Sequence, residues 1–284
     1  MNYKGKNIAA LDIGSSKICC MIASKDSYEI SKVIGMGHNA SLGIHSGVVT
    51  DINLATKSIL SAIKEAEKQA NMKIKEGLNV SISSSKTFTK KIKSKLEVKE
   101  KKISFSHLND CLKSILKENF FLDKKVIHAS PIEIIIDGAS GIENPDGMYG
   151  NFLEVEFIVV YISLSHFKNY IECITQCDVD VNKITIASQA AGIAVLNENE
   201  LKLGSVVVDM GARTTSLGIF SNNKFLYSAV LGFGGYDISE SIARKFSITF
   251  EEAEKLKVMH SSVIDSGLDH ETFFEIPSIN FENT

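Results

Sequence analysis

The stretch LDIGSSK (Leu11–Lys17) ends the first apolar run of the chain with an acid, a glycine, two serines and a lysine. A second run, VVVDMGARTTSLGIF (Val206–Phe220), repeats the order of apolar strand, aspartate, glycine and hydroxyl residues. One copy alone is compatible with an ordinary hairpin turn. Two copies, each with strand residues on both sides, indicate a pair of loops that bind the same ligand.

The first loop carries the groups that bind a nucleoside triphosphate. Backbone N–H groups of tight turns, hydroxyls and a cation all stabilise phosphate charge. Gly14 lets the backbone approach a ligand closely. Ser15 and Ser16 offer hydroxyl and amide donors, and Lys17 adds a positive charge. Asp12, at the strand end, is placed to hold a hydrated Mg²⁺ through water.

The second loop repeats this chemistry with Asp209, Gly211, Thr214 and Thr215. Asp209 is a candidate for binding the waters of the metal, or for a catalytic role in orienting an attacking water. The alternative is that each loop is only a hairpin with an Asp-Gly type of turn. Neither loop has the spacing of a Walker A motif or of GxGxxG, which disfavours a P-loop or Rossmann site.

Two further segments are candidates for contact with the nucleoside. Gly234 and Gly235 precede a predicted helix, where the backbone is able to approach a ligand at the helix N-terminus. Glu254 and Lys257 share a helix face at i,i+3 spacing and are candidates for binding the ribose hydroxyls and the adenine edge. The alternative for this last pair is a solvent-facing ion pair.

Composition excludes several classes of protein. The 284 residues are 44% hydrophobic with a net charge of -3, which does not suit a chain that is basic throughout for nucleic acid. The five cysteines are odd in number, and Cys173 and Cys177 lack nearby histidines, so we expect reduced thiols in the cytosol and core packing rather than zinc. No run approaches the roughly 18 apolar residues of a transmembrane helix.

The order of predicted elements suggests two related halves and an insertion. We expect a first lobe from residues 1–83 and 162–197, an inserted β-α-β-β subdomain at 84–161, and an incomplete second lobe at 198–284. In the first lobe, Asp51 or Asn53 is the expected cap of a helix that runs to about Ala70. Helices near 165–177 and 186–197 are expected to flank a short link.

The chain resembles the FtsA family of bacterial cell-division proteins, within the superfamily of ATPases that includes actin, heat-shock chaperones and sugar kinases. The two loops carry the likeness to the superfamily. The likeness to the family rests on further segments: GHNASLGIHSGVVTDI, VIHASPIEIIIDGASGIENPDGMYG, LGFGGYDISESIA and AEKLK. It extends from about residue 7 to about residue 260, and the loop IENPDGMYG is its most specific part.

The resemblance implies an α/β, actin-like (ribonuclease H-like) two-lobed ATPase core with an FtsA-type inserted subdomain. It implies binding of ATP and Mg²⁺, self-association into filaments, and attachment of the tubulin-like FtsZ polymer and other divisome proteins to the cytoplasmic face of the inner membrane at the septum. The residues that match nucleotide-contacting positions of the family are Asp12, Gly14, Ser15, Ser16, Lys17, Asp209, Gly211, Thr214, Thr215, Gly234, Gly235, Glu254 and Lys257. Nucleic acid is not an expected partner.

The chain also departs from the family pattern. Ala212 and Arg213 replace glycines of the second loop, and Ser216 replaces an aspartate common in the superfamily. Family members are longer and continue with a third Gly-rich segment and an amphipathic membrane-targeting helix. We therefore expect a truncated or split-gene form, at most a weak ATPase. The alternatives are a small-molecule kinase on the same core and a structural relative that binds no nucleotide.

A lysine-rich segment opens the predicted insertion. Residues 86–103 contain eight lysines and two glutamates, and Lys91 to Val98 alternates with the period of a half-exposed strand. The segment is either a solvated hairpin or an electrostatic contact to an acidic partner or to a neighbouring subunit.

Overall fold

A five-stranded sheet carries the first loop. The structure is a computed structural model, which describes residues 7–25, 31–99, 102–117 and 122–261. From one edge to the other, the sheet contains β10 (Val181–Ile186), β6 (Leu78–Ile82), β1 (Asn7–Ile13), β2 (Lys17–Lys25) and β3 (Ser31–Ala40). β1, β2 and β3 are antiparallel neighbours, whereas β6 and β10 extend the sheet in parallel beyond β1.

Helix α1 (Ile52–Ala70) packs on one face of this sheet. The prediction of a cap at Asp51 is confirmed, because its carboxylate accepts a hydrogen bond from the Leu54 N–H at 2.9 Å. Small residues on the inner face allow close packing, and a Cβ at Gly37 of β3 would lie only 2.1 Å from the Ala62 carbonyl oxygen. The fully buried residues of this face are Ala55, Ile59, Ala62, Ile63 and Ala66.

The segment predicted as a short link between two helices is a strand of the sheet, so this part of the prediction was wrong. It contains β10, which lies between α3 (Leu164–Thr175) and α4 (Ala187–Val195) and pairs with β6. Exposed Asn182 and Lys183 are consecutive and break the alternation expected of a strand at a sheet edge. The short helix α5 (Glu198–Leu203) was also not predicted, although Asn197 and Glu200 form a capping box at its start.

The prediction that Cys173 and Cys177 pack in the core is confirmed. Their exposed fractions are 0% and 6%, and both thiols are free. The Cys177 Sγ–H donates to the Cys173 carbonyl oxygen at 3.2 Å, as expected one turn along a helix end.

The inserted unit has its own sheet and core. It contains β7 (Thr87–Glu97), α2 (Phe105–Leu116), β8 (Lys124–Ile136) and β9 (Phe152–Ser163), with β9 between the other two strands. One face of its sheet packs with α2 in a cluster of its own, whereas Ile158, Val160 and Ile162 of β9 belong to the core of the first sheet. The β-α-β-β order is as predicted, and the assignment of lobe boundaries around it stays a prediction.

A three-stranded antiparallel sheet carries the second loop. It consists of β11 (Ser205–Met210), β12 (Thr215–Ser221) and β13 (Lys224–Leu231) in chain order. Helix α4 packs against one face so tightly that a Cβ at Gly192 would lie 2.1 Å from the Phe220 ring. A small hairpin of β4 (Ile44–His45) and β5 (Val48–Val49) precedes α1.

The chain divides into two compact units, Met1–Asp237 and Ile238–Thr284. In the second unit the structure describes residues 238–261, which contain most of α6 (Gly235–Phe246) and all of α7 (Phe250–His260). Thr249 and Glu252 form a capping box that begins α7.

Candidate functional site

The two loops have the same hairpin geometry. In the first, the Gly14 N–H donates to the Lys17 carbonyl oxygen at 3.2 Å, and in the second the Gly211 N–H donates to the Thr214 carbonyl oxygen at 2.8 Å. Each aspartate lies two residues before its glycine at the end of the first strand. The two hairpins therefore correspond residue by residue, and Arg213 occupies the position that Ser16 has in the first.

The structure brings the two hairpin tips together. The Ser16 Oγ lies 2.9 Å from the Tyr236 Oη, and the Tyr236 N–H donates to the Ala212 carbonyl oxygen at 2.7 Å. One tyrosine thus contacts both hairpins. The Asp12 carboxylate is also within reach of the charge of Asp209. The two hairpin tips predicted to share a ligand therefore lie next to each other.

The paired carboxylates make this space attractive to a cation. Asp12 keeps exposed surface, but the protein around it removes enough water to raise its carboxyl pKa, and the charge of Asp209 raises it further. A hydrogen bond with Ser81 and the charge of Lys17 act in the opposite direction and do not outweigh this. Two neighbouring carboxylates are hard oxygen donors of the type that Mg²⁺ prefers.

The donor set fits Mg²⁺ held jointly with a ligand. Among the described residues, no group of three or more His, Cys, Asp and Glu side chains is able to hold a metal by itself. Mg²⁺ commonly takes one or two carboxylates and completes its octahedron with phosphate oxygens and water. Asp12 and Asp209 supply that part of the set.

Two of the four hydroxyls predicted to bind phosphate keep a proton to donate. The Ser15 Oγ accepts a hydrogen bond from the Gly47 N–H at 3.0 Å, and the Thr214 Oγ1 accepts one from the Ser83 hydroxyl at 3.1 Å. A hydroxyl is one donor and two acceptors, so acceptance leaves the donor available.

The other two hydroxyls have different partners. The Thr215 Oγ1–H donates to the Phe233 carbonyl oxygen at 2.8 Å, so this proton is used within the fold. The Ser16 hydroxyl is shared with the phenol of Tyr236, and either oxygen is able to be the donor. Whether Ser16 has a proton for a ligand therefore depends on Tyr236.

Gly234 and Gly235 lie directly against the second hairpin. A Cβ at Gly234 would be 2.4 Å from the Gly211 carbonyl oxygen, so no other residue fits without displacement of the hairpin. The Gly234 N–H donates to the Asp237 carboxylate at 2.8 Å, and the Gly235 N–H donates to the Gly211 carbonyl oxygen at 2.9 Å. Any ligand contact of this pair would rest on close backbone approach rather than on these amides.

Gly47 and Ser83 support the hairpins and were not predicted as site residues. Gly47 has a φ of 66°, and a Cβ there would lie 1.6 Å from the Ser83 carbonyl oxygen. Buried Tyr170 donates its hydroxyl proton to the Gly47 carbonyl. The SG dipeptide before Val48 signals the turn, but nothing local indicates its contact with Ser15.

In the second unit, Glu254 and Lys257 form a hydrogen-bonded ion pair. The Lys257 Nζ donates to the Glu254 Oε2 at 2.7 Å, and the Ser239 hydroxyl donates to the same oxygen. Partial burial favours the protonated carboxyl, but these two hydrogen bonds outweigh it and hold the Glu254 pKa below its usual value. The ion pair of the alternative is thus observed, but it is not solvent-facing, because the side chains of Lys257 and Glu254 are only 18% and 34% exposed. A role in nucleoside binding stays a prediction.

The lysines of β7 are partly matched by acids on β9. Lys91 Nζ lies 2.8 Å from a Glu156 carboxylate oxygen, and Lys93 Nζ lies 3.6 Å from the other. Lys95 pairs with Glu154 at 2.8 Å. Three of the eight lysines of this segment are therefore paired with two glutamates of the inserted unit itself.

Within the ranges that the structure describes, no helix is both long and apolar enough to cross a membrane.

Family models match two separate parts of the chain. The model described as "Cell division protein FtsA" matches residues 206–284, and the model described as "SHS2 domain inserted in FTSA" matches residues 85–161. The second match coincides with the unit built from β7, α2, β8 and β9. Together the two matches span more than half of the chain.

Curated relatives extend the similarity along the whole chain. The cell division protein FtsA of Agrobacterium fabrum is 29% identical over 282 residues, which cover 96% of this chain and 63% of that protein. The cell division protein FtsA of Pseudomonas aeruginosa is 26% identical over 275 residues, covering 97% of this chain and 66% of that protein. The chain thus spans slightly less than two thirds of the length of these relatives.

Solved structures show the fold. The PilM–PilN type IV pilus biogenesis complex superimposes with a TM-score of 0.66 at 18% identity, covering 89% of this chain and 69% of that chain. The ethanolamine utilization protein EutJ from Carboxydothermus hydrogenoformans gives 0.50 at 14% identity, covering 89% and 61%. The predicted fold class is confirmed as actin-like with an inserted SHS2 unit.

The family matches fall on the parts of the chain that distinguish its architecture, which are the inserted sheet and the segment with the second hairpin. The alignment with the FtsA protein of Agrobacterium fabrum covers 96% of this chain and therefore includes both matched segments. The chain therefore belongs to the FtsA family.

Proposed function

We propose that the chain binds Mg-ATP between its two hairpins. The observation that carries this proposal is the meeting of the two hairpin tips at Tyr236, with Asp12 and Asp209 at the ends of the strands that lead into them. A repelling pair of carboxylates beside hydroxyl-bearing hairpins is stabilised by a divalent cation, and the cation in turn binds phosphate oxygens. Ser15 and Thr214 donate to the phosphates, Lys17 adds charge, and Asp209 orients the waters of the metal.

Titration calorimetry of the 284-residue protein with ATP tests this site, with Mg²⁺ and with excess chelator. We expect binding in Mg²⁺ and a loss of about 10- to 100-fold in affinity for Asp12→Asn or Asp209→Asn, the range seen when groups that orient a metal are removed. The matched control is Asp178→Asn, because Asp178 is exposed at a φ of 59° that asparagine adopts readily. Equal affinity in both site variants would contradict the proposal.

We further propose that ATP serves as a conformational ligand of a cell-division scaffold. The curated relatives are named as cell-division proteins, and this supports a role at the septum, with FtsZ polymer, the inner membrane and further copies of the chain as partners. Co-sedimentation with FtsZ polymers, with anionic vesicles and alone, each with and without Mg-ATP, tests the three contacts separately. Absence of the protein from all three pellets would contradict the scaffold role.

The same preparation distinguishes the alternatives. A small-molecule kinase would consume ATP faster when the right acceptor is added, so ATP consumption with and without a panel of sugars and acetate separates it from a scaffold. A nucleotide-free relative would show no heat of binding with ATP, ADP or their magnesium complexes.

A further inference from the structure

Equivalent positions of the two hairpins meet on one side chain. The Ser16 hydroxyl lies 2.9 Å from the Tyr236 hydroxyl, and the Arg213 guanidinium carbon lies 5.4 Å from the centre of the Tyr236 ring. Ser16 and Arg213 follow their hairpin glycines at the same distance along the chain. The tyrosine therefore lies between the two tips, at the place where a phosphate chain would have to contact both.

Tyr236 is held at its backbone, and its side chain keeps contact with solvent. Its N–H is held by the Ala212 carbonyl at 2.7 Å, as part of the first turn of α6. Its ring is only half-buried, so a rotation about χ1 is able to take the phenol away from Ser16 without a change in the backbone.

Phosphate competes well for the two contacts that join Tyr236 to Ser16 and to Arg213. A neutral hydroxyl pair contributes about 1 kcal/mol and a partly exposed cation–π contact roughly 0.5–1 kcal/mol. Hydrogen bonds to a charged phosphate are about twice as strong as neutral ones, and a guanidinium binds phosphate with two parallel N–H groups. A triphosphate therefore displaces the phenol, whereas a nucleoside without phosphates has nothing to offer Ser16 or Arg213.

We propose that Tyr236 is a phosphate-released latch: it holds Ser16 and Arg213 together while the site lacks phosphate, and it releases both to the phosphate chain of a bound nucleotide. This inference rests on the proposed nucleotide site and adds a specificity determinant to it. The latch lowers the apparent affinity for every ligand that has to open it. It also makes opening of the latch depend on the phosphates of a nucleotide rather than on its base.

Two substitutions with opposite expected signs test the latch. Tyr236→Phe removes the hydroxyl and keeps the ring, so Mg-ATP affinity should rise about fivefold, the value of one neutral hydrogen bond. Arg213→Gln removes a phosphate ligand, so the affinity should fall about tenfold or more. A merely structural contact would move both variants in the same direction. Tyr227→Phe, on an exposed side chain of β13, is the matched control.

A spectroscopic reporter follows the latch directly. The chain has no tryptophan, so Tyr236→Trp introduces a single indole between the hairpins. We expect its emission to change with Mg-ATP or Mg-ADP and to stay constant with adenosine at the same concentration.

The outcomes separate the latch from the site. If the parent protein binds Mg-ATP while Tyr236→Phe leaves the affinity unchanged, or if the indole responds equally to adenosine, the latch is overturned and the site stands. If the parent protein shows no binding of Mg-ATP at all, the site is overturned and the latch with it.

Discussion

The two sheets that carry the hairpins share the same hairpin but differ in the strands that flank it. In the first sheet, β1 is flanked by β2 on one side and by parallel β6 on the other. In the second, β11 pairs with β12 and has no partner on its other side among the described residues. Three apolar residues occupy equivalent positions in the two strands. In β1 they are Ala9, Leu11 and Ile13, which are 7%, 0% and 0% exposed. In β11 they are Val206, Val208 and Met210, which are 61%, 54% and 66% exposed.

The comparison separates what a hairpin needs from what a sheet needs. The turn geometry is the same in both copies because it depends on a glycine and on one hydrogen bond across four residues. The burial differs because it depends on elements that lie far away in sequence, such as β6, which pairs with β1 beside Leu11. Exposed apolar positions next to a free strand edge are the type of surface that other strands or side chains cover.

The largest expected effect compares Leu11 with Val208. Leu11→Ala should lower the free energy of unfolding by about 3 kcal/mol, because it leaves a cavity in a closed core. Val208→Ala at the equivalent position should change it by about 0.5 kcal/mol or less, as at other exposed positions. Urea denaturation of the two variants and the parent measures the difference.

A large loss for Val208→Ala would break the comparison. It would mean that another segment or another copy of the chain covers this face in solution. Repeating the Val208 measurement over a range of protein concentrations distinguishes these two cases, because only a contact between copies depends on concentration.

Ser83 should show an intermediate effect. It follows β6, and its hydroxyl donates to the Thr214 hydroxyl at 3.1 Å and lies 2.7 Å from the Ser216 hydroxyl. Ser83→Ala leaves buried Thr214 and Ser216 without this partner and should cost about 1–3 kcal/mol. Thermal unfolding of Ser83→Ala measures the loss, and Ser85→Ala is the control. An unchanged midpoint would show that the first sheet does not support the second hairpin.

Asp12 should make the ligand-free protein sensitive to pH. Its folded-state pKa is raised, by removal from water and then by Asp209, so its ionised form costs stability above that pKa and the cost disappears as the pH falls through it. Asp12→Asn should therefore unfold at a higher temperature than the parent at pH 7 without nucleotide. The difference should vanish in acid, where the parent carboxyl is protonated.

An NMR titration of the Asp12 carboxyl group tests the contribution of Asp209 to this raised pKa. In Asp209→Asn, the NMR titration of Asp12 should move to lower pH, because one cause of the raised pKa has been removed. A titration of Asp12 that is the same in both proteins would place the two carboxylates too far apart to share a metal.

The smallest effect is expected for the lysines of the inserted unit, which has no counterpart in the described residues 205–261. Lys91 is 59% exposed at its side chain and pairs with Glu156. Lys91→Gln should cost less than about 1 kcal/mol, and the loss should diminish in high salt. Charge reversal at Lys91 would place two acids together, so neutral substitutions are the right probe of a contact surface here. Sedimentation of Lys91→Gln with Mg-ATP then reports on assembly rather than on folding.

Local sequence was sufficient for the elements with strong periodicity or a clear cap. The paired hairpins, the Asp51 cap of α1 and the β-α-β-β order of the insertion are of this kind, since each depends on residues close together in the chain. β10 was missed because a parallel edge strand with exposed Asn182 and Lys183 has no clean alternation. Its strand character comes from pairing with β6, which lies far away in sequence.

The site was predictable in its residue types and not in its contacts. Aspartate, glycine and hydroxyl residues after apolar strands indicate phosphate chemistry on local grounds. That Ser16 meets Tyr236, 220 positions away, and that Thr214 meets Ser83, 131 positions away, depends on the fold as a whole. Which hydroxyls keep a proton for a ligand could therefore be read only from the structure.

Ser83 also lies at the root of the inserted unit, because β7 begins at Thr87 after a short connection. Thr89 near the start of β7 bonds to the Ser228 backbone of β13 through both its acceptor and its donor. The sheet that carries the second hairpin thus contacts the base of the insertion at two points, one through a serine hydroxyl and one through a threonine. Only a few residues of the β6–β7 connection and of β13 therefore separate the second hairpin from the inserted sheet.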